Sequence, residues 1–470
     1  MYNQDSDWSS EKEGIKMNRL EKKKVLVVGM GKSGIAAAQA LLKLEAVVSV
    51  YDKKRASEID PQLIQFFKNK NITCFFGAEP NNMNELDMVV MSPGVSLELD
   101  FIEKAKKSGA EIIGELEIAY RVGKGNYIAI TGTNGKTTTT TLVGEIVKNS
   151  GRKTYVVGNV GVAVISKALS ASENDWLVTE TSSFQLETTK YFQPVVSALL
   201  NITPDHMDRH KTIENYADAK AKIFENQEES QYFVVNYDDE ESYKLASKCK
   251  AQVIPFSRKS RLDLGCFVLD GDIVIKNQEG IYIDICSVDD LKIPGAHNLE
   301  NALAAAAISY FAGISPEIIS KTLKAFEGVE HRLEFCGEVD GVRFVNDSKG
   351  TNPDASMKAI DAINGGIILI AGGYDKGSDF SEFIMSFDDK VKHMILIGKT
   401  AIKIKSTAEN LGFHHVIMAK DMDECVRVGY KLASKGDTVL LSPACASWDM
   451  YTSFEQRGEH FKNCVRDLEK

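Results

Sequence analysis

The chain has 470 residues, 43% of them hydrophobic and 26% charged, and carries a formal net charge of -10. That length divides into about three domains, and no run approaches the roughly 18 uninterrupted apolar residues of a membrane span. The acidic balance excludes sequence-independent nucleic-acid binding, so positive charge for an anionic ligand has to be placed locally.

Residues 1–16 are polar and acidic, without the apolar core of a secretory signal. They are expected to form a disordered leader, with Met17 as an alternative start. The eight cysteines show no C-x-x-C pair, which points to reduced thiols in a cytoplasmic protein. The first structured unit, 17–125, opens with a buried-strand signal at Lys24–Val28. It runs through Gly29, Gly31 and Gly34 into an alanine-rich helix, and a second strand ends at Asp52. This is the G-x-G-x-x-G pattern of Rossmann-like dinucleotide folds, with an acidic residue placed for a ribose. Taken alone it supports either an NAD-dependent oxidoreductase or glycines that merely let helix and sheet pack closely. Further strands are expected at Met88–Met91 and Glu111–Ile113.

A second unit, 126–328, is built around Thr131 to Thr140, TGTNGKTTTT. A short apolar strand precedes it and a helix-like stretch follows, which is the context of a phosphate-binding P-loop. Gly132 and Gly135 let backbone N–H groups converge on an anion at a helix start. Lys136 would reach the outer phosphates, and the Thr137 hydroxyl would hold magnesium. The usual pattern has glycine where this chain has Ile130, so the loop is a shortened variant. Strands are expected at 153–157, 176–179, 195–201 and 232–236, alternating with helices and so forming a largely parallel sheet. From Gly265 to Val288 the pattern becomes short alternating strands with Asp270-Gly271 and Glu279-Gly280 turns, an antiparallel insert. A helix, 298–311, closes the unit. The third unit, 329–470, again alternates strand and helix, with strands at 343–345, 367–371, 393–397 and 438–441.

Glu180 stands at the end of an apolar strand, where a carboxylate could complete the magnesium shell begun by Thr137. Past the next strand, Asp205, His206 and Asp208 fall within four positions. His206 could ligate a second metal, contact a phosphate or be structural. Lys220 shares a helical face with Tyr216 and Phe224, flanked by Ile213 and Ile223. A buried, unpaired ammonium is costly, so such a lysine loses its proton or finds a partner. A neutral amine can take up carbon dioxide as a carbamate, whose oxygens suit magnesium. The alternative is a side chain that snorkels to the surface, and spacing leaves both open.

In this order TGTNGKTTTT, ETSSFQLE, TPDHMDRH, YADAKAK, GAHNLENALAAA, EHRLEF, NDSKGTNPDA and SPACAS resemble the ATP-dependent Mur ligases of bacterial cell-wall synthesis, from about Lys22 to the C-terminus. The likeness is nearest to members acting on UDP-N-acetylmuramoyl-L-alanine and D-glutamate. It rests there on the dinucleotide-like first domain, on asparagine rather than histidine at position 134, and on the ending SPACASWDMYTSFEQRGEHF. The D-N-P-R signature of diaminopimelate-adding relatives is missing.

The resemblance implies three α/β domains: a Rossmann-like N-terminal domain, a central P-loop domain with antiparallel insert, and a C-terminal Rossmann-like domain. It implies that Lys32, Ser33, Asp52, Lys53 and Gly94 bind the uridine diphosphate of the substrate, with Asn159 and His206 nearer the reacting carboxylate. ATP would meet Gly132, Thr133, Asn134, Gly135, Lys136, Thr137, Thr138, Asn298, Asn301, Arg332 and Asp347. Thr137, Glu180, His206 and carbamylated Lys220 would surround two magnesium ions. Lys349, Thr351, Lys376, Ser447 and Phe454 would form the D-glutamate pocket, whose two lysines suit a dicarboxylate. The catalytic set implied is Lys136, Glu180, His206, Lys220 and Arg332, in a monomeric enzyme whose third domain closes over ATP. A folylpolyglutamate-type ligase would keep the second and third domains but not the first. Cys445 has no adjacent histidine in sequence and is expected to pack.

Overall fold

The structure is a computed structural model that describes residues 20–81, 83–375 and 377–468. The expected leader, 1–16, and Lys376 lie outside the described residues. Strands β1 (Lys24–Val28), β2 (Val47–Asp52), β3 (Thr73–Phe76), β4 (Met88–Met91) and β5 (Glu111–Gly114) form a parallel sheet in the order β3-β2-β1-β4-β5. Both faces of β1 and β4 are covered, which is why they read as unbroken apolar runs. Helix α1 (Lys32–Lys43) follows the glycine turn. A Cβ on Gly34 would lie 1.8 Å from the Gly29 carbonyl oxygen, so this glycine permits the close packing of helix on strand. Strand order reverses between β2 and β4 on either side of β1, the place where α/β sheets open a crevice.

Helix α2 (Glu115–Val122) leads to the central sheet. Its Glu117, fully buried, accepts hydrogen bonds from Arg121 Nε at 2.7 Å and from the backbone N–H groups of Lys190, Tyr191 and Phe192 at 2.9 to 3.2 Å. One carboxylate thus ties the first unit to the central one. Glu117→Ala leaves three amides without their acceptor and Arg121 with Glu111 as its remaining carboxylate, and is expected to lower stability by about 3–5 kcal/mol, read as a fall in thermal midpoint against the parent.

The central sheet holds nine strands: β6 (Asn126–Thr131), β7 (Thr154–Gly158), β8 (Trp176–Glu180), β9 (Val196–Leu199), β10 (Tyr232–Asn236), β11 (Gln252–Ser257), β12 (Gly265–Leu269), β13 (Asp272–Lys276) and β14 (Tyr282–Ser287). Their order is β14-β13-β12-β11-β10-β9-β6-β8-β7, parallel from β7 to β12 and antiparallel beyond. The expected antiparallel insert is therefore an extension of the same sheet. Helix α3 (Lys136–Asn149) starts at the phosphate loop, α4 (Ile213–Ala221) carries Lys220, and α5 (Ala296–Phe311) packs a run of buried alanines against α3 and the sheet. Phe224 lies past the end of α4 yet stays buried beside it.

The third sheet takes β15 (Glu334–Val339), β16 (Val342–Asn346), β17 (Ile367–Ala371), β18 (Val391–Leu396), β19 (Val416–Met418) and β20 (Thr438–Leu441) in the order β15-β16-β20-β17-β18-β19. Only the edge pair β15/β16 is antiparallel. Around it lie α6 (Pro353–Ala362), α7 (Met422–Leu432) and α8 (Phe454–Leu468). Among the described residues no helix is long and apolar enough to cross a membrane.

Candidate active site

The phosphate loop joins β6 to α3. Gly135 sits at the helix start with φ +82°, and a Cβ there would lie 2.3 Å from Asn301 Oδ1, so conformation and space both require glycine. Lys136 bends back to donate from Nζ to the carbonyls of Gly132 at 2.9 Å and Thr133 at 2.7 Å, which keeps the ammonium over the loop. Thr137 Oγ1 donates to Glu180 Oε2 at 2.7 Å, and Asn159 Nδ2 donates to Glu180 Oε1 at 2.7 Å. The expected pair Thr137 and Glu180 is therefore in contact. Their hydroxyl and carboxylate oxygens are the hard donors magnesium prefers, so they fit such an ion.

Lys220 does not snorkel. It is 1% exposed, its Nζ donates to the Gly132 carbonyl at 2.8 Å, and it lies 4.4 Å from the centre of the Tyr216 ring. Burial, reinforced by the nearby Lys136 charge, pulls its amine well below the ordinary lysine value, against the attraction of Asp205 and Glu180. His206 occupies the left-handed region at φ +57°, its ring edge-on to Phe184 with 4.8 Å between centroids and its Nε2 3.7 Å from Asp205. A non-glycine residue held in that conformation is typical of functional loops.

One cleft of about 400 Å³ brings together groups that follow strand ends in all three sheets. The first unit gives Lys32 and Ser33; the central unit gives Thr133, Asn134, Gly135, Lys136, Thr137, Asn159, Glu180 and His206; the third gives Arg332, Lys349, Thr351 and Phe454. An acidic protein thus concentrates Lys32, Lys136, Arg332 and Lys349 around one space, as an anionic ligand demands. A second cavity of about 30 Å³ behind the loop is lined by Asn134, Thr138, Asn301, Arg332 and Asp347. Asn298 lies just behind it, accepting from Asn301 and donating to the Pro294 carbonyl. Arg332 donates to the buried Asp347 at 3.3 Å, and Ser447 lines an adjoining recess with Thr351 and Phe454.

The remaining residues expected at the uridine end stand elsewhere. Asp52 accepts from the Met30 N–H at 2.7 Å and the Lys54 N–H at 2.9 Å, so its carboxylate holds the glycine turn in shape. Lys53 and Gly94 are exposed and line neither cavity.

Four groups in or beside these cavities were not singled out from sequence. Asp354 accepts from Asn134 Nδ2 and, at 3.3 Å, from Thr203 Oγ1; Asn352 donates to Asp205 at 3.2 Å. Both lie in NDSKGTNPDA and dock the third unit onto the phosphate loop. Asn201 accepts from the Asn134 N–H at 2.8 Å, and His297, in the cavity behind the loop, is pushed down to about 3 by burial and by Arg332 and Lys358. The signal for His297 was its place inside GAHNLENALAAA; Asp354 and Asn352 had none beyond being polar in a matched motif.

Lys349 stands 4.9 Å over the Phe454 ring, and burial lowers its amine to about 8, Glu180 opposing the shift. It is charged below that pH and neutral above it. If it holds an anionic substrate, KM for that substrate is expected to rise as pH passes from about 7.5 to 9, while Lys349→Arg, charged throughout, should flatten the profile. A KM–pH profile of parent and variant checks this.

Three α/β units, the middle one bearing a phosphate loop and the outer ones lending charged side chains to its cleft, define a nucleotide-using enzyme. The sequence matches the family models described as Mur ligase MurD-like, N-terminal domain over residues 23–114, Mur ligase middle domain over 130–309, and Mur ligase, glutamate ligase domain over 331–445. The chain belongs to the Mur ligase family. It is 52% identical over 454 residues to the UDP-N-acetylmuramoylalanine--D-glutamate ligase of Alkaliphilus oremlandii, covering 96% of this chain and 100% of that one. It is 49% identical over 450 residues to the protein of that name from Clostridioides difficile, covering 96% and 99%. Among solved structures the fold is shared with UDP-N-acetylmuramate-alanine ligase MurC from Thermotoga maritima, at TM-score 0.60 and 18% identity over 95% of this chain and 99% of that one. A pseudomurein peptide ligase type C from Methanothermus fervidus aligns at TM-score 0.59 and 18% identity over 95% and 100%.

Proposed function

We propose that the chain joins D-glutamate to UDP-N-acetylmuramoyl-L-alanine at the expense of ATP, as a cytoplasmic monomer in peptidoglycan precursor synthesis. The observation that carries this reading is the single cleft in which Lys32 and Ser33, the phosphate loop with Glu180, and Lys349 with Phe454 face one another. The full-length likeness to proteins named for that reaction supports it. In this reading 17–125 holds the uridine substrate, 126–328 holds ATP, and 329–470 holds the amino acid.

The substrate carboxylate attacks the γ-phosphate, giving an acyl phosphate and ADP; the D-glutamate amine then attacks that carbonyl and phosphate leaves. Both partners of the first step are anions, so Lys136 and Arg332 serve to lower their repulsion. Thr137 and Glu180 would hold one magnesium ion, and His206 with Lys220 as its carbamate a second; when bound, these ions neutralise phosphate charge. Lys349, Thr351, Ser447 and Phe454 orient the amino acid. Full-length likeness to proteins named as D-glutamate ligases speaks against the rival NAD-dependent reading.

Phosphate release is measured with ATP, magnesium, UDP-N-acetylmuramoyl-L-alanine and each candidate amino acid in turn. Release that requires D-glutamate is expected. Release with another amino acid would move the enzyme within the family, and release with none would overturn the reading. Lys32→Ala is expected to raise KM for the uridine substrate about tenfold, the loss of about 1.4 kcal/mol, with KM for ATP unchanged.

A further inference from the structure

Far along the third unit, on the surface where α7 and α8 pack together, Asp423, His460 and Cys464 place one carboxylate oxygen, one imidazole nitrogen and one sulfur within 4.8 Å of one another. His460 and Cys464 are one turn apart on the same face of α8, and Asp423 comes from the first turn of α7. His460 Nε2 lies 3.2 Å from Asp423 Oδ2. A tetrahedral ion with bonds of about 2.0–2.1 Å to nitrogen and oxygen and about 2.3 Å to sulfur needs ligand separations of roughly 3.3–3.6 Å. Small side-chain rotations therefore suffice.

Two further observations point to a ligand. The other ring nitrogen of His460, Nδ1, lies 3.0 Å from the Tyr451 hydroxyl. Without an ion Nε2–H donates to Asp423; when a cation takes that proton's place, Nδ1–H can donate to the Tyr451 oxygen and leave the Nε2 lone pair for the metal, the outer hydrogen bond usual for a metal-ligating histidine. The local charge also differs from that of a neighbouring cluster, Glu330, His331 and Glu459. There Lys462 pairs with Glu330, with Glu334 at 3.1 Å and with Glu459 at 2.6 Å, so an ammonium already fills the acidic pocket. Among the described residues the Asp423 carboxylate pairs with His460 and forms no ion pair with a lysine or arginine, Arg427 Nε donating instead to the Asp423 backbone carbonyl at 3.2 Å. Its other close neighbour is the Cys464 sulfur, within 4.8 Å.

We propose that Asp423, His460 and Cys464 form a binding site for a thiophilic divalent cation, zinc foremost, apart from the catalytic cleft. On binding, the ion takes the place of the Cys464 thiol proton, and that proton passes to solvent. Thiolate, imidazole and carboxylate select zinc over magnesium, and the exposed side of the cluster leaves a fourth position for water. Binding cross-links α7 to α8. Through His460 and Tyr451 it also steadies the segment before α8, whose Thr452 and Ser453 line the recess beside Phe454.

The test is a cobalt titration of the full chain in excess magnesium, which fills oxygen-rich sites and leaves a thiolate-to-cobalt charge-transfer band as the readout. One equivalent should produce the band, zinc should bleach it, and Cys464→Ser should abolish it while keeping the parent's phosphate release. His460→Ala serves as a second variant should Cys464→Ser fold poorly, and it too should lose the band. Tyr451→Phe is expected to bind cobalt about tenfold more weakly, and Glu459→Gln should bind as the parent does. No band in the parent, or an undiminished band in Cys464→Ser, would overturn the assignment; so would unchanged affinity in Tyr451→Phe for the orienting role of that hydroxyl.

Discussion

Lys220→Ala is expected to remove phosphate release by a factor of at least about 10²–10³, the usual loss when a preorganised charge is taken from an active site. A small carboxylic acid added in solution should then restore part of it. The amine is shut from solvent beside the Lys136 ammonium, and its nearest acceptor is a neutral carbonyl. Such a site favours the uncharged base, which is the form that adds carbon dioxide. A carbamate replaces that amine with a carboxylate-like anion next to Glu180 and the phosphate loop. Rescue by a carboxylic acid follows from that chemistry alone. If Lys220 acted as an ammonium, Lys220→Arg would retain activity and added acid would do nothing; that pair of results would sink the carbamate.

The second large effect is expected at Glu180. Glu180→Gln keeps the size of the side chain and keeps an oxygen for the Thr137 hydroxyl, so the thermal midpoint should change little. Turnover should nevertheless fall by about 10²–10³, because one negative charge beside the phosphate loop is gone. The variant should also need more magnesium for half-maximal rate. Loss of stability in proportion to loss of rate would instead make Glu180 a packing residue that holds Thr137 and Asn159.

Most strands with continuous apolar runs were legible in the sequence, and the exceptions have physical causes. Strand β11 carries Pro255, which reads as a break, yet it runs between two parallel neighbours. The close approach is allowed because Gly265 faces the Pro255 carbonyl, where a Cβ would be 1.9 Å away. Strand β15 is a half-exposed edge carrying Glu334 and Glu338, and β3 has no fully buried residue. At the site, the contact of Thr137 with Glu180 was legible because it follows from a strand end, while the helical face put Lys220 on the apolar stripe but left burial and snorkelling open. The grip of Asp354 on Asn134 was not, because it joins residues 220 positions apart across two sheets. Of the two readings of the first glycine motif, the structure displays the packing role. Gly29 and Gly34 serve packing, while Lys32 and Ser33 beside them reach the cleft.

The three sheets share no strand: one is complete by Gly114, the next uses Asn126–Ser287 and the last Glu334–Leu441. During synthesis, at about 5–20 residues per second, each sheet can close before the next has left the ribosome. The order of assembly is then the order of the chain. Docking of Asp354 onto Asn134 comes last, so the half-made protein holds a finished phosphate loop for many seconds before the unit that covers it exists.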